Sequence, residues 1–165
     1  MSSIRIEHGS AEDIELLREL WLGLHHHHQS VAAETGRFCD DEASWGARSA
    51  SYQEWLAEPG SFLLLARAGQ RLVGYALVRV KSADEWSDTY VHPEQEAELE
   101  TMFVTPDARG SGLGARLLDV IDSELDARGI TDLTVGFIPG NDGAQRFYER
   151  HGFRPLWFVF ARKRD

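Results

Sequence analysis

Between Glu98 and Leu125 the chain reads ELETMFV, then TPDARGSGLGA, then an apolar residue at every fourth position: Leu113, Leu117, Ile121 and Leu125. A strand-like run that enters a helix through glycines at 110, 112 and 114 admits few backbone paths, so it constrains the fold more than any other stretch. Alternate glycines permit left-handed backbone and bring main-chain N–H groups close to whatever sits at the helix start. There the unsatisfied donors and the helix dipole favour an anion. The periodic run stops at Arg128-Gly129, a helix terminus with a glycine stop, and DLTVGFI resumes strand character. Glu98 to Ile138 therefore predicts one parallel β-α-β crossover.

The remainder supplies antiparallel partners and covering helices. SIRIEH, Ser3 to His8, places Ile4 and Ile6 on one strand face, and Ser10 with Asp13 three residues later predicts a capping box. The helix that follows carries Ile14, Leu17, Trp21 and Leu24 as one stripe. A second helix is expected over Asp41 to Ala57, with Trp45, Tyr52, Trp55 and Leu56, ending before Pro59-Gly60. SFLLLAR, the turn AGQR and LVGYALVRV predict a hairpin, and the polar stretch from Ser82 to Glu94 a loop. A short helix over Asp142 to Arg150 and a final strand, PLWFVFAR, complete the order βααβββαβαβ. The expected fold class is α/β (α+β): a mixed, mostly antiparallel central sheet flanked by helices on both faces, with that one parallel crossover. No repeat or linker interrupts residues 1–165, which predicts a single domain.

Composition excludes several classes of function. The net charge of −10, from 27 acidic and 17 basic residues, argues against nucleic acid or an anionic membrane as partner. A cationic ligand fits that balance, and so does a plain solubility role. FLLLA, the longest clean apolar stretch, is too short to span a bilayer, and MSSIRIEHGS lacks the pattern of a signal peptide, so a cytoplasmic location is expected. The single cysteine, Cys39, has no partner for a disulfide or a thiolate metal site and is expected to be structural.

Two phosphate-binding patterns compete for the glycine loop. A Walker A loop needs GK[ST] at the helix start, where this chain has Gly114-Ala115-Arg116, so ATP or GTP hydrolysis is not expected. Gly110, Gly112 and Ala115 satisfy the dinucleotide fingerprint, but the following strand ends Val135-Gly136-Phe137-Ile138-Pro139 without the carboxylate that a ribose requires. A pyrophosphate held by main-chain N–H groups, with Arg109 adding charge at the entrance, remains.

At this point the sequence resembles the GNAT superfamily of N-acyltransferases. Arg109-Gly110-Ser111-Gly112-Leu113-Gly114 is similar to its R/Q-x-x-G-x-G/A acyl-CoA loop, and the preceding MFVTP matches a flanking motif. So do Asn141, Ala144 and the run from Phe147 to Phe153. The resemblance implies acetyl-CoA as acyl-donor cosubstrate, with its pyrophosphate on residues 109–114 and its pantetheine along the backbone of Met102, Phe103 and Val104. A splay between that strand and the Thr134 strand would free those groups, so that the ligand acts as a substitute strand. Asn141 matches a position that contacts the pantetheine arm. Relatives commonly finish with two strands after the GF turn, whereas only twelve residues follow Phe153. The sheet edge is therefore expected to be completed differently, with a homodimer as one route.

The implied reaction is transfer of an acetyl group to a primary amine of a small molecule or peptide, directly, within a ternary complex. Such an amine, with pKa ~10.4, lies about three units above neutral pH, and its deprotonation costs on the order of 4 kcal/mol. Glu98 and Glu100 share a strand face where relatives place a catalytic or amine-binding acid, and Glu100 is the favoured base. Tyr148 matches the family tyrosine that protonates or stabilises the departing thiolate; otherwise it packs beside Phe147. Relatives wall the acceptor pocket with their first two helices, which nominates His25 or His28, with Trp21, Trp45 and Tyr52, as substrate-contacting residues. His25 to His28 look like a metal tag, yet they continue the first helix without a carboxylate or cysteine at ligand spacing, and thioester chemistry needs no metal. An acyltransferase for a longer acyl-CoA, or a non-catalytic acyl-CoA-binding regulatory module, are the alternatives. Retention of Glu98, Glu100 and Tyr148 favours catalysis.

Overall fold

The structure, a computed structural model, describes residues 3–32, 37–82, 91 and 93–162. The polar loop expected between Ser82 and Glu94 lies mostly outside these residues. Five strands form one sheet in sequence order: β1 Ile4–Gly9, β2 Phe62–Ala68, β3 Arg71–Ser82, β4 Gln95–Val104 and β5 Leu133–Val135. The first four pair antiparallel, and β4 pairs parallel with β5 across the helix between them. The mixed sheet and its single crossover are therefore as the sequence predicts.

Local chemistry starts and stops the helices where the sequence places them. Ser10 and Asp13 make the reciprocal capping box, which opens two 3-10 turns over Ala11–Leu17 before α1, Arg18–Val31. Asp40 caps α2, Asp41–Ala57, by accepting from the Ala43 N–H at 2.8 Å. Gly129, left-handed with φ 69°, ends α3, Leu113–Arg128, and Asn141 caps α4, Asp142–Arg150.

The central strands face a core on each side, which is why β2 reads as an unbroken apolar run. Phe62, Leu64 and Ala66 pack with Leu117, Ile121 and Leu125 of α3, while Leu63 and Leu65 pack with Ile14, Leu17, Trp21 and Tyr52 on the α1–α2 side. Each fully buried leucine contributes roughly 1.5–3 kcal/mol relative to exposure. Among the described residues no helix is long and apolar enough to cross a membrane.

The expected final strand is absent. Residues 155–162 have no ladder in the structure, and Phe158, Val159 and Phe160 are 74%, 83% and 92% exposed. Strand propensity is a preference for a pleated, half-buried surface, and among the described residues no strand pairs with this segment to make a ladder.

Candidate functional site

Strand β4 departs from simple alternation at one residue. Leu77 of β3 pairs with Thr101 and Val78 with Leu99, so Glu100 is the extra residue of a β-bulge. Ala97 and Leu99 therefore pack on the α3 side, Thr101 and Phe103 face or join the α1–α2 side, and Met102 and Val104 pack on the α3 side. Glu98 and Glu100 share a face as expected, but Met102 does not lie on it.

The ladder between β4 and β5 runs only from Ala97–Leu133 to Leu99–Val135, although β4 continues to Val104. The strands thus part company at Glu100. At the far end of β4 the chain turns through Arg109 into the glycine loop. Gly110 and Gly112 take φ of 73° and 79°, and a Cβ at either would meet nothing within 4 Å. Gly112 begins α3 with no side-chain cap, and Leu113 points into the core. The first N–H groups of α3 thus open onto clear space, a cradle suited to a pyrophosphate. Arg109 donates from Nε to the Val104 carbonyl at 3.1 Å and lies 5.6 Å from the Phe103 ring centre, which joins the loop to the strand. Ser111 donates to the Ala108 carbonyl at 2.6 Å.

Glu98 and Glu100, the two candidate carboxylates of β4, differ in their partners. Lys81 holds Glu98 at 2.7 Å. Among the described residues the ion-pair partner of Glu100 is Arg79 at 3.9 Å, and that guanidinium already donates to both carboxylate oxygens of Glu58, at 2.6 and 2.7 Å. Burial, reinforced by the neighbouring charge of Glu98 and only partly offset by Arg79, pushes the Glu100 carboxyl up to about 7. Of the pair, Glu100 is the group poised to exchange a proton near neutral pH.

Tyr148 lies within the core on the α3 side, edge-on to Phe147 and Phe153 and stacked with Phe137 at 5.8 Å. Burial alone pushes its phenol up to about 12. A phenol that holds its proton so firmly serves as a hydrogen-bond donor rather than as an acid.

The α1–α2 wall is only partly as expected. Trp45 and Tyr52 are 5% and 0% exposed and belong to the packed interior. Tyr52 donates to Thr101 Oγ1 at 2.7 Å and sits 2.9 Å from the Tyr75 hydroxyl, so it ties α2 to the sheet. Trp21 is also buried and donates from Nε1 to Ser44 at 2.9 Å. His25 is buried between the Cys39 carbonyl and Gln29, at 3.0 and 2.9 Å. His28 is half-buried; burial first, then the fields of His27, His25 and Arg48, lower it to about 4, so it is neutral at pH 7. Arg48 and Trp55, both half-buried, lie on the same helical face as Tyr52; Trp55 was read from the sequence only as part of the helical pattern, and neither Arg48 nor Arg79 stood out. The available signal was spacing: 48, 52 and 55 fall at i, i+4 and i+7.

Asn141 is engaged on both sides. Its Oδ1 accepts from the Ala144 N–H at 3.3 Å and lies 3.3 Å from His27 Nε2. This contact joins α1 to the loop before α4.

A model of the Acetyltransferase (GNAT) family matches residues 15–153. The chain belongs to this family. Among GNAT relatives, an uncharacterized N-acetyltransferase of Mycobacterium tuberculosis is 29% identical over 106 residues, covering 64% of this chain and 61% of the relative. A mycothiol acetyltransferase of Geodermatophilus obscurus is 31% identical over 116 residues, covering 68% of this chain and 35% of its own length. The aminoglycoside N-acetyltransferase AAC(6')-Iy, solved with CoA, superposes with a TM-score of 0.70 at 19% identity, covering 100% of this chain and 97% of that structure. The last likeness speaks to the GNAT fold. These matches identify an acetyltransferase-family domain, and the chain spans less than two thirds of the length of the curated relatives it matches.

Proposed function

We propose that the protein transfers an acetyl group from acetyl-CoA to a primary amine of a small molecule or peptide, by direct attack within a ternary complex. The observation that carries this reading is that β4 loses its neighbour at Glu100, where the buried carboxyl sits, on the strand that runs into the open glycine loop. The pyrophosphate rests on the N–H groups of residues 110–114, and Met102, Phe103 and Val104 offer main-chain groups to pantetheine, which lies with its thioester towards Glu100. Asn141 borders the same arm. The names of the relatives, which include mycothiol and aminoglycoside acetyltransferases, support a small-molecule acceptor.

Acetyl-CoA supplies the thioester carbonyl. Glu100 takes the proton that the acceptor nitrogen sheds as its bond to that carbon forms, and Tyr148 donates a hydrogen bond to the sulfur as the carbon–sulfur bond breaks. The nitrogen thereby becomes an amide, and the sulfur leaves as CoA thiolate. The test is thiol release from acetyl-CoA across a panel of amines, with longer acyl-CoA donors in parallel; CoA binding without amine-dependent release would leave only a binding module. Tyr148→Phe is expected to lower kcat by on the order of 10² while leaving CoA affinity nearly intact, as measured by steady-state kinetics and calorimetry. An unchanged kcat removes Tyr148 from the reaction.

Homodimerisation is part of the proposal. Phe158, Val159 and Phe160 put apolar groups on both faces of an extended segment, the pattern of a strand buried on two sides, while β5 forms an edge of the sheet. A second copy is the occupant we propose for this segment. Light scattering should give twice the chain mass, and the Phe158→Asp/Phe160→Asp variant a monomer; a monomeric parent protein refutes it.

A further inference from the structure

Three aromatic rings lie against the guanidinium of Arg48. Its central carbon lies 4.2 Å from the ring centre of Trp21, 5.4 Å from that of Trp55 and 5.7 Å from that of Tyr52. Among the described residues no carboxylate, carbonyl or hydroxyl accepts a hydrogen bond from it. The chain carries 27 acidic residues against 17 basic ones. Arg5, Arg18, Arg67, Arg71, Arg79 and Arg128 all pair with a carboxylate.

Stacking on aromatic rings positions a guanidinium through its face and leaves the N–H edge, five donors in a fixed fork, free to meet a planar anion. Trp55 lies between two cations, with Arg48 at 5.4 Å and Arg79 at 5.8 Å from its ring centre. Arg79 is occupied by Glu58, so Arg48 is the cation with donors to spare. Its charge reaches Glu100, yet no ion pair joins the two. Arg48 connects to the surroundings of Glu100 through its rings: Tyr52, 5.7 Å away, donates to Thr101 next to Glu100, and Trp55 also lies near Arg79, which is 3.9 Å from Glu100.

We infer that Arg48 binds a carboxylate carried by the acceptor, so that the preferred acceptor is an amino acid or a peptide with its carboxylate near the reacting amine, not a polycationic amine. The inference rests on the acetyltransferase reading of the same site. A polyamine or aminoglycoside would bring further positive charge against Arg48, whereas a zwitterion meets an opposite charge at each end.

The test compares acceptors that differ only by the carboxylate: L-phenylalanine with phenethylamine, and L-lysine with cadaverine. A dipeptide, phenylalanyl-glycine, separates the free amino acid from a peptide source. Expected is a preference of about 10- to 100-fold in kcat/KM for the carboxylate-bearing member of each pair, the range of a charged hydrogen bond. Arg48→Met keeps the aliphatic stem over Trp21 and removes the charge; it should collapse that ratio towards one, with Arg48→Lys intermediate and thermal melting confirming that both variants fold. Equal use of both members of each pair, or an unchanged ratio in Arg48→Met, overturns the assignment while amine acetylation stands. If thiol release occurs with no amine, the acetyltransferase reading fails, and calorimetry on the CoA-bound protein decides Arg48 separately. L-phenylalanine binding that Arg48→Met abolishes supports the anion site, and no binding, or equal binding of phenethylamine, refutes it.

Discussion

Glu100→Gln is expected to lower kcat/KM for amine acetylation by about 10²- to 10⁴-fold, the usual contribution of a positioned general base. The amide keeps the shape of the side chain and cannot take a proton from the acceptor. CoA affinity should change little, because the proposed CoA contacts are main-chain groups of the glycine loop and of β4. Stability provides the control. The fold raises Glu100 from 4.5 to about 7, so the native state binds this proton more tightly than the unfolded chain does, and the carboxylate opposes folding above pH 7. Replacing it with a neutral amide should therefore maintain or raise the melting temperature at pH 8. The parent protein should show an acidic limb in kcat/KM centred near pH 7, with activity rising as Glu100 ionises and falling about tenfold per unit below it. That limb should be absent from the residual activity of the variant. Glu98→Gln, whose carboxylate is held by Lys81, should cost far less; a larger loss there than at Glu100 would reverse the assignment.

Gly140→Ala should produce the largest loss of stability of any single added methyl group in the loop before α4. Gly140 has φ of 92°, and a Cβ there would lie 2.4 Å from the carbonyl oxygen of Val31 at the end of α1. The obstacle is backbone and cannot rotate away. Left-handed strain costs roughly 1–3 kcal/mol, and moving the loop off α1 adds to it, so a total of about 3 kcal/mol and a fall in Tm of about 6–12 °C are expected. Gly69→Ala isolates the conformational part, since φ is 62° there and nothing lies within 4 Å of the added carbon. Its cost should stay near 1–2 kcal/mol. Equal melting temperatures for the two variants would show that the Val31 contact relaxes freely. Because the next residue, Asn141, caps α4 and meets His27, the Gly140 variant should also weaken CoA binding, which calorimetry can read.

Elements governed by near neighbours were legible from sequence. Ser10 and Asp13, the helix boundaries of α2 and α4, and the Gly129 stop depend on contacts within a few residues, and the chain carries them wherever it folds. The glycine loop is legible for the same reason, and its three-glycine spacing between a strand and a helix carried both the topology and the resemblance. Trp45 and Tyr52 show the limit of that reading. The helical pattern carried them and the family resemblance nominated them for the acceptor wall, but neither could tell a residue that lines a cleft from one buried behind it.

Tertiary pairing decided the rest. The bulge at Glu100 exists only against β3, because it is a mismatch of one residue between two strands, and it alone separates the face of Met102 from that of Glu100. The raised proton affinity of Glu100 follows from burial beside Glu98, partly offset by Arg79, and the setting of Arg48, with no carboxylate partner among the described residues, from which groups the fold brings within reach. PLWFVFAR has the composition of a strand and forms none, because a ladder requires a neighbour as well as a preference. The chain's own order of residues thus determined the helices, the crossover and the glycine loop, through local geometry; the proton affinity and charge complement of the site also needed residues distant in sequence, such as Arg79 beside Glu58 and Glu100 and Arg48 on Trp21, whose distances only packing sets.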